Sequence, residues 1–219
     1  LLCPSDPESG EDNPLGIIGN APGESCPYSG MPSRPDASYV YMGYVLDKCS
    51  DNDPTINAAV FGVTGGGVVS SQFAYVMSTL SYREGVSLLQ GPLGDQNPAN
   101  DYIMDDDLSN PTLHTLISGL SLPSGMSVGN AGTATVYRVK EGVERFLITD
   151  INNPAASALA QSELPVMWDV VAAGTAGRAE FNHIPSGANT LYMDGHVQFN
   201  QYPGEFPASK AFATAAGFF

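Results

Sequence analysis

A chain of 219 residues with 42% hydrophobic side chains is long enough to bury a core, and we expect a single domain over residues 1–219. Its formal net charge is -15 although only 14% of its residues are charged, and such an acidic surface repels phosphate backbones. Nucleic acid is therefore excluded as an expected partner, and the absence of a run of 18 apolar residues predicts no membrane span within the chain.

The first part of the chain has few regular patterns. Residues 1–36 are predicted to form loops, because Pro and Gly recur too often for a regular element. Residues 38–46 follow as a predicted strand, rich in aromatic and β-branched side chains. The region 50–130 is expected to be loop-rich, with helices embedded in it.

Two helices are predicted within that loop-rich region. Apolar residues at spacings of three and four predict the first over 70–82. Asn110 is a typical helix cap and Pro111 a typical first helical residue, so the second is predicted over 111–120.

The sheet core is predicted over 131–205. Its expected elements are a hairpin, a short helix, a strand and a final hairpin around Asp194-Gly195, at 133–139 with 143–149, 153–162, 165–171, and 190–193 with 196–199. Hairpins favour antiparallel pairing, and short helices beside such a sheet predict an α+β fold. The tail carries four phenylalanines that must pack on this domain or on a neighbour: Phe206, Phe212, Phe218 and Phe219.

All three cysteines lie in the first quarter of the chain, at Cys3, Cys26 and Cys49. In an oxidising compartment we expect one disulfide that closes this loop-rich segment and contributes roughly 2–4 kcal/mol. Three pairings are open, and we favour Cys26 with Cys49, which leaves Cys3 for a partner elsewhere. A zinc site is disfavoured, because no C-x2-C pair occurs and no His lies nearby.

Several acidic residues offer the oxygen ligands that Ca²⁺ prefers, although neither acidic cluster has the Gly and distal Glu of an EF-hand loop. Solvated turns and acidic helix flanks are the alternative interpretation. A strand end and a turn can also converge, which adds two carboxylates to the candidates. The full candidate set for calcium is Asp51, Asp53, Asp105, Asp107, Asp169 and Asp194.

The most specific pattern lies near the end of the chain. His183 is followed by a small-residue turn, then by Asn189, a hydrophobic strand and Asp194-Gly195. This resembles the C-terminal His-x9-Asp-Gly signature of a bacterial pseudopilin-like family with prepilin-type N-terminal processing. Here ten residues separate His183 from Asp194, one more than in that signature.

Two further segments fit the resemblance: Leu164 to Asp169, and Cys3-Pro4-Ser5-Asp6-Pro7. The family resemblance implies a pilin-like ectodomain and an apolar N-terminal helix ahead of Leu1, which would be its one link to a membrane. It also implies a non-catalytic subunit of a type II secretion pseudopilus or a type IV pilus-like filament, at the cell envelope or outside the cell. The implied partners are copies of itself or other pilin-like subunits. Calcium held in loops on the sheet, as in some pseudopilins, is compatible with it.

Two functions from other classes remain open. A secreted carbohydrate- or surface-binding module would use exposed aromatic side chains as stacking platforms, with Tyr39, Tyr41, Tyr44 and Trp168 as candidates. A hydrolase would use His183 with Asp169 or Asp194, and His196 could join His183 in a metal site. Because no recognisable nucleophile motif accompanies these residues, we expect structural hydrogen bonding at His183, Asn189, Asp194 and Gly195 rather than catalysis.

Overall fold

The computed structural model describes residues 39–61, 67–84, 106–123, 126–148, 161–173, 179–181, 183 and 186–216. Ten strands run in chain order through these ranges: β1 Tyr39–Val40, β2 Thr55–Asn57, β3 Val68–Ser70, β4 Leu108–Ser109, β5 Thr135–Val136, β6 Pro165–Asp169, β7 Val171–Ala173, β8 Ala179–Phe181, β9 Gly187–Tyr192 and β10 Val197–Gln201. Three α-helices accompany them: α1 Ser71–Glu84, α2 Pro111–Ser121 and α3 Lys210–Ala216. Short 3-10 helices occupy Ala58–Phe61, Asn130–Gly132, Val143–Leu147 and Gln161–Glu163.

Each α-helix begins at a side-chain cap, which satisfies a backbone N–H group that the helix itself leaves unpaired. The Ser70 hydroxyl accepts from the N–H of Phe73 at 3.2 Å, and the Asn110 side-chain oxygen accepts from the N–H of Leu113 at 3.1 Å. Ser209 does the same for α3. The predicted helices at 70–82 and 111–120 are therefore confirmed as α1 and α2.

The main sheet has four antiparallel strands in the order β1, β6, β9, β10. Trp168 of β6 pairs with Thr190 of β9, and both are buried on the side of the sheet that faces the core. Because side chains alternate along a strand, Asp169 and Asn189 lie on the opposite side. The sheet thus separates an aromatic core from a polar cluster.

The core is built around aromatic rings from the sheet and from the end of the chain. Trp168 meets Phe206 and Phe212 edge-on, with ring centroids 5.1 and 5.5 Å apart, and Phe212 meets Phe73 of α1 at 5.1 Å. Such edge-to-face pairs add to the free energy gained from burial. Phe206 and Phe212 of the tail therefore pack within this domain, whereas Phe218 and Phe219 lie outside the described residues.

The predicted final hairpin is present, with a different loop. The Tyr192 N–H donates to the His196 carbonyl at 3.0 Å, so Met193, Asp194 and Gly195 form a three-residue loop rather than a two-residue turn. Gly195 adopts φ +90°, a left-handed conformation that favours glycine and typically follows the turn in such loops.

Two predictions of local pairing were wrong. The predicted strand 38–46 is divided at Gly43, whose φ is +69°: β1 pairs with β6, and the Tyr44 region pairs with Arg138. The predicted hairpin of 133–139 with 143–149 does not form, because β5 pairs with β4. Val143 and Leu147 are instead both buried from a 3-10 helix.

The remaining predictions fall partly beyond these ranges. The predicted helix at 153–162 lies mostly outside the described residues, which resume with a 3-10 helix at Gln161–Glu163. The strand predicted at 165–171 is confirmed as β6, with β7 beginning at Val171. Antiparallel sheets with three α-helices confirm the α+β class. None of the helices found in the described ranges is long and apolar enough to cross a bilayer.

Candidate functional site

His183 and Asn189 of the sequence motif meet the Asp169 carboxylate on the side of the sheet that faces away from the aromatic core. One oxygen of Asp169, Oδ2, lies 2.8 Å from the Asn189 backbone N, 2.9 Å from Asn189 Nδ2 and 2.7 Å from His183 Nε2. Asp169 is only 1% exposed. We call these three residues the motif cluster.

The proton positions in the motif cluster follow from the carboxylate, which only accepts hydrogen bonds. We therefore assign the proton of the His183 ring to Nε2, so that it donates to Asp169. Asn189 Nδ2 lies 2.8 Å from the same Nε2, and this proximity arises because both groups donate to one oxygen. A buried carboxylate held by three donors is stabilised in place rather than set up to exchange protons with a substrate.

Asp194 is not part of the motif cluster. It lies in the loop at the far end of β9, where its Oδ1 is 2.6 Å from His196 Nδ1 and accepts from the His196 backbone N–H at 3.1 Å. Both hydrogen bonds lower the pKa of the Asp194 carboxyl, and the bond from the His196 backbone N–H has the larger effect. The His196 ring stacks on Tyr192 with centroids 4.5 Å apart. The sequence predicted that Asp194 would meet Asp169 and that His196 would meet His183. In the structure Asp194 pairs with His196 instead, and Asp169 pairs with His183.

The calcium candidates are used as hydrogen-bond acceptors for neighbouring backbone. Asp51 accepts from the N–H of Ala211 at 3.0 Å, and Asp107 accepts from the N–H of Arg138 at 2.9 Å while it pairs with Lys140 at 3.2 Å. Within the described ranges, no three His, Cys, Asp or Glu side chains come together in a way that could hold a metal ion. Asp105 lies outside those ranges, so a calcium site that includes it stays a prediction.

Asp53 differs from the other candidates because burial raises the pKa of its carboxyl. The N–H of Ser50 donates to this carboxyl at 2.8 Å and lowers the pKa, but by less than burial raises it. Asp47 and Glu205 raise it further. A raised pKa in the folded state means that ionised Asp53 costs stability at neutral pH. That cost is lost as the pH falls through the folded-state pKa towards the ordinary value of 3.8.

We therefore expect Asp53→Asn to raise the melting temperature at pH 7 by about 1–2 °C, because the amide oxygen can still accept from Ser50 without a charge. The gain should disappear below pH 3.8, where the protonated Asp53 carboxyl is as neutral as the amide that replaces it. Thermal unfolding measured across this range checks the prediction. Asp106→Asn removes an equal charge from an exposed side chain and serves as the control; a gain as large in that variant would mean that only net charge matters.

Cys49 is a buried thiol beneath the start of α1. Its Sγ accepts from the Ser70 hydroxyl at 3.1 Å, and burial is the main cause that raises the pKa of Cys49 to about 12. The structure holds it as a free cysteine. Cys3 and Cys26 lie outside the described residues, so the disulfide between Cys26 and Cys49 stays a prediction.

The aromatic residues that a carbohydrate-binding module would need are mostly committed to packing. Trp168 and Tyr44 are each 2% exposed, and Tyr39 is half-buried. Tyr41 alone of the four candidates is largely exposed, at 61%. Since a stacking platform needs several rings on one surface, these four residues do not provide one.

Sequence inspection missed a buried polar network that ties α1 to the segment before it. Asp47 Oδ1 accepts from Gln72 Nε2 at 2.6 Å and from Asn130 Nδ2 at 2.7 Å, and the Asn130 Oδ1 accepts from the Tyr137 N–H at 2.7 Å. The Lys48 ammonium donates to the carbonyls of Ser127 and Gly129. Asp47 and Asn130 are 83 positions apart in the chain, so no local signal could have joined them.

A His–Ser pair was also missed. His114 Nε2 lies 2.6 Å from the Ser127 hydroxyl, which donates in turn to the Thr133 carbonyl and accepts from the Gly129 N–H at 3.3 Å. Because the hydroxyl proton is engaged by Thr133, the His114 ring donates to Ser127 rather than withdrawing its proton. This pair therefore fixes a loop and does not form a nucleophile with its base.

Comparison of the chain with protein-family models, with curated proteins and with solved structures gave no match. The motif cluster, the polar network around Asp47 and the His114–Ser127 pair are therefore interpreted from their own geometry.

Proposed function

We propose that the protein is a non-catalytic structural subunit of a pilus-like or type II secretion pseudopilus filament, at the cell envelope or outside the cell. The observation that carries the proposal is the motif cluster: His183 and Asn189, two of the residues that carry the family resemblance, are used to hold strands together. A recurrent signature that serves packing is what a structural family requires.

The geometry of the motif cluster favours a structural role over hydrolysis. The hydrogen bonds of the buried Asp169 carboxylate go to Asn189 and His183, which joins β6 to β9 and to the segment before β9. His183 uses Nε2 to donate to Asp169, and no recognisable nucleophile motif accompanies this histidine for which its other ring nitrogen could act as a base. The motif cluster thus contributes to the rigidity of the domain.

The surface composition is compatible with assembly into a fibre. Only 14% of the residues are charged, so large areas of the surface can pack against another subunit without desolvating ions. The net charge of -15 argues against nucleic acid as a partner. Copies of the same chain or other pilin-like subunits are the proposed partners.

The proposal is tested in the source cells with the whole protein. Filaments are sheared from the cell surface, separated from soluble protein by sedimentation, and examined by immunogold electron microscopy with an antibody against the chain. We expect the protein along filaments and in the sheared fraction, and in neither after its gene is deleted. Recovery only as a monomer in the medium, with filaments unchanged by the deletion, would contradict the proposal.

A further inference from the structure

Strand β10 forms one edge of the four-stranded sheet, with β9 on its other side. The bonds from Tyr192 N to His196 O and from Tyr202 N to Ser186 O show which pairs of residues between β9 and β10 exchange hydrogen bonds. Because such pairs alternate in an antiparallel ladder, three residues direct their N–H and C=O groups away from β9. They are Val197, Phe199 and Gln201.

The side chains of these three residues share one side of the sheet, and they leave apolar surface in contact with solvent. Val197 is 63% exposed and Phe199 is 43% exposed. The Phe199 ring lies edge-on to His183 with centroids 6.1 Å apart, so Phe199 packs beside the motif cluster. The strand, Val-Gln-Phe-Asn-Gln, contains no charge and no proline, the residues that usually protect an edge strand from pairing.

We propose that β10 pairs antiparallel with β10 of a second copy of this chain, centred on Phe199. In this register Phe199 faces Phe199 of the second copy, and Val197 faces its Gln201. All three residues with outward backbone groups then exchange hydrogen bonds, because these positions become the hydrogen-bonded pairs of the new ladder. A shift by one residue would leave those groups unpaired.

The charge and the symmetry of the strand favour a second copy as the occupant. Two chains of net charge -15 repel each other at long range, so a contact between copies favours a surface without carboxylates, and β10 is such a surface. Pairing about Phe199 is self-complementary: aromatic meets aromatic, and Gln198 meets Asn200 of the other copy. The contact closes on itself, so it joins two subunits side by side and leaves the propagation of a filament to a different surface.

This inference takes from the proposed function that the protein meets copies of itself, but its register is tested on the purified chain. Val197→Cys and Gln201→Cys are prepared separately, then mixed and oxidised with oxidised glutathione, which accepts the electrons of the two thiols. Facing residues in a hydrogen-bonded pair have Cα atoms about 5.5 Å apart, within the range that a disulfide spans. We expect the mixture to form at least about five times more disulfide-linked dimer than either variant alone or than wild type, since Val197 faces Gln201 and not itself.

Equal cross-linking in the mixture and in the single variants would overturn the proposed register. Self-association of the unmodified chain is measured in parallel by sedimentation. Phe199→Lys should weaken it at least tenfold by placing two ammonium groups opposite each other, whereas Leu116→Lys, at a comparably exposed apolar site on α2, should leave it unchanged. A Phe199→Lys chain that associates like wild type would also overturn the inference. Neither result depends on whether filaments are found on cells, so the two proposals can fail separately.

Discussion

Asp169→Ala is expected to lower the free energy of unfolding by about 3 kcal/mol or more, because one substitution leaves several donors without their acceptor. The substitution leaves the Asn189 backbone N–H, the Asn189 amide and the His183 ring without their common acceptor. Each buried donor that loses its partner carries a desolvation penalty of about 1–3 kcal/mol. Urea denaturation followed by circular dichroism measures the loss.

Asp194→Ala provides the matched control. It also removes an aspartate side chain, but at an exposed position that pairs with His196 outside the core. We expect it to cost much less than Asp169→Ala, because exposed ion pairs contribute little to stability. Similar losses for the two variants would contradict the view that Asp169, and not Asp194, supports the strands.

The elements that sequence predicted correctly have signals confined to a few neighbouring residues. Asn110 and Pro111 mark the start of α2 because a cap and a first-turn proline act locally, and the structure has both. Asp194-Gly195 marks the final hairpin because glycine accepts the left-handed conformation that its loop requires. The length of that loop depends on the register of the flanking strands, which the dipeptide does not encode.

Pairing between distant strands could not be predicted in this way. The aromatic run 38–46 has the composition of one strand, yet the chain turns at Gly43 because β1 pairs with β6 while Tyr44 pairs with Arg138. The segment 133–149 has the pattern of a hairpin, yet β5 takes β4 as its partner. In both cases tertiary pairing outweighs local propensity.

The candidate site was predicted only in part, because it too depends on pairing between distant strands. His183 and Asn189 come together, and Asp169 joins them because β6 pairs with β9. Asp194 stands five residues beyond Asn189, in the loop past the end of β9. Sequence spacing placed His183, Asn189 and Asp194 in one motif, but only strand register determines which carboxylate the histidine meets.

Gly129→Ala is expected to be the other severe substitution, with a loss of about 3 kcal/mol or more, because the added methyl group would overlap backbone atoms of Thr133 and Thr135. A Cβ atom at Gly129 would lie against the Thr133 carbonyl and 2.7 Å from both the N and the O of Thr135. Backbone cannot rotate away as a side chain can. The displaced loop also carries the Gly129 carbonyl that binds Lys48 and the Asn130 amide that binds Asp47.

Gly119→Ala is the matched control for Gly129→Ala, since a Cβ there meets nothing within 4 Å and the residue lies inside α2. Alanine should stabilise that helix by about 0.5–1 kcal/mol, so the two substitutions are expected to have opposite signs. Urea denaturation of both variants measures the sign and the size of each change in stability. If Gly129→Ala unfolded at the wild-type urea concentration, the segment from Ser127 to Thr135 would not hold the close packing that fixes Lys48 and Asn130.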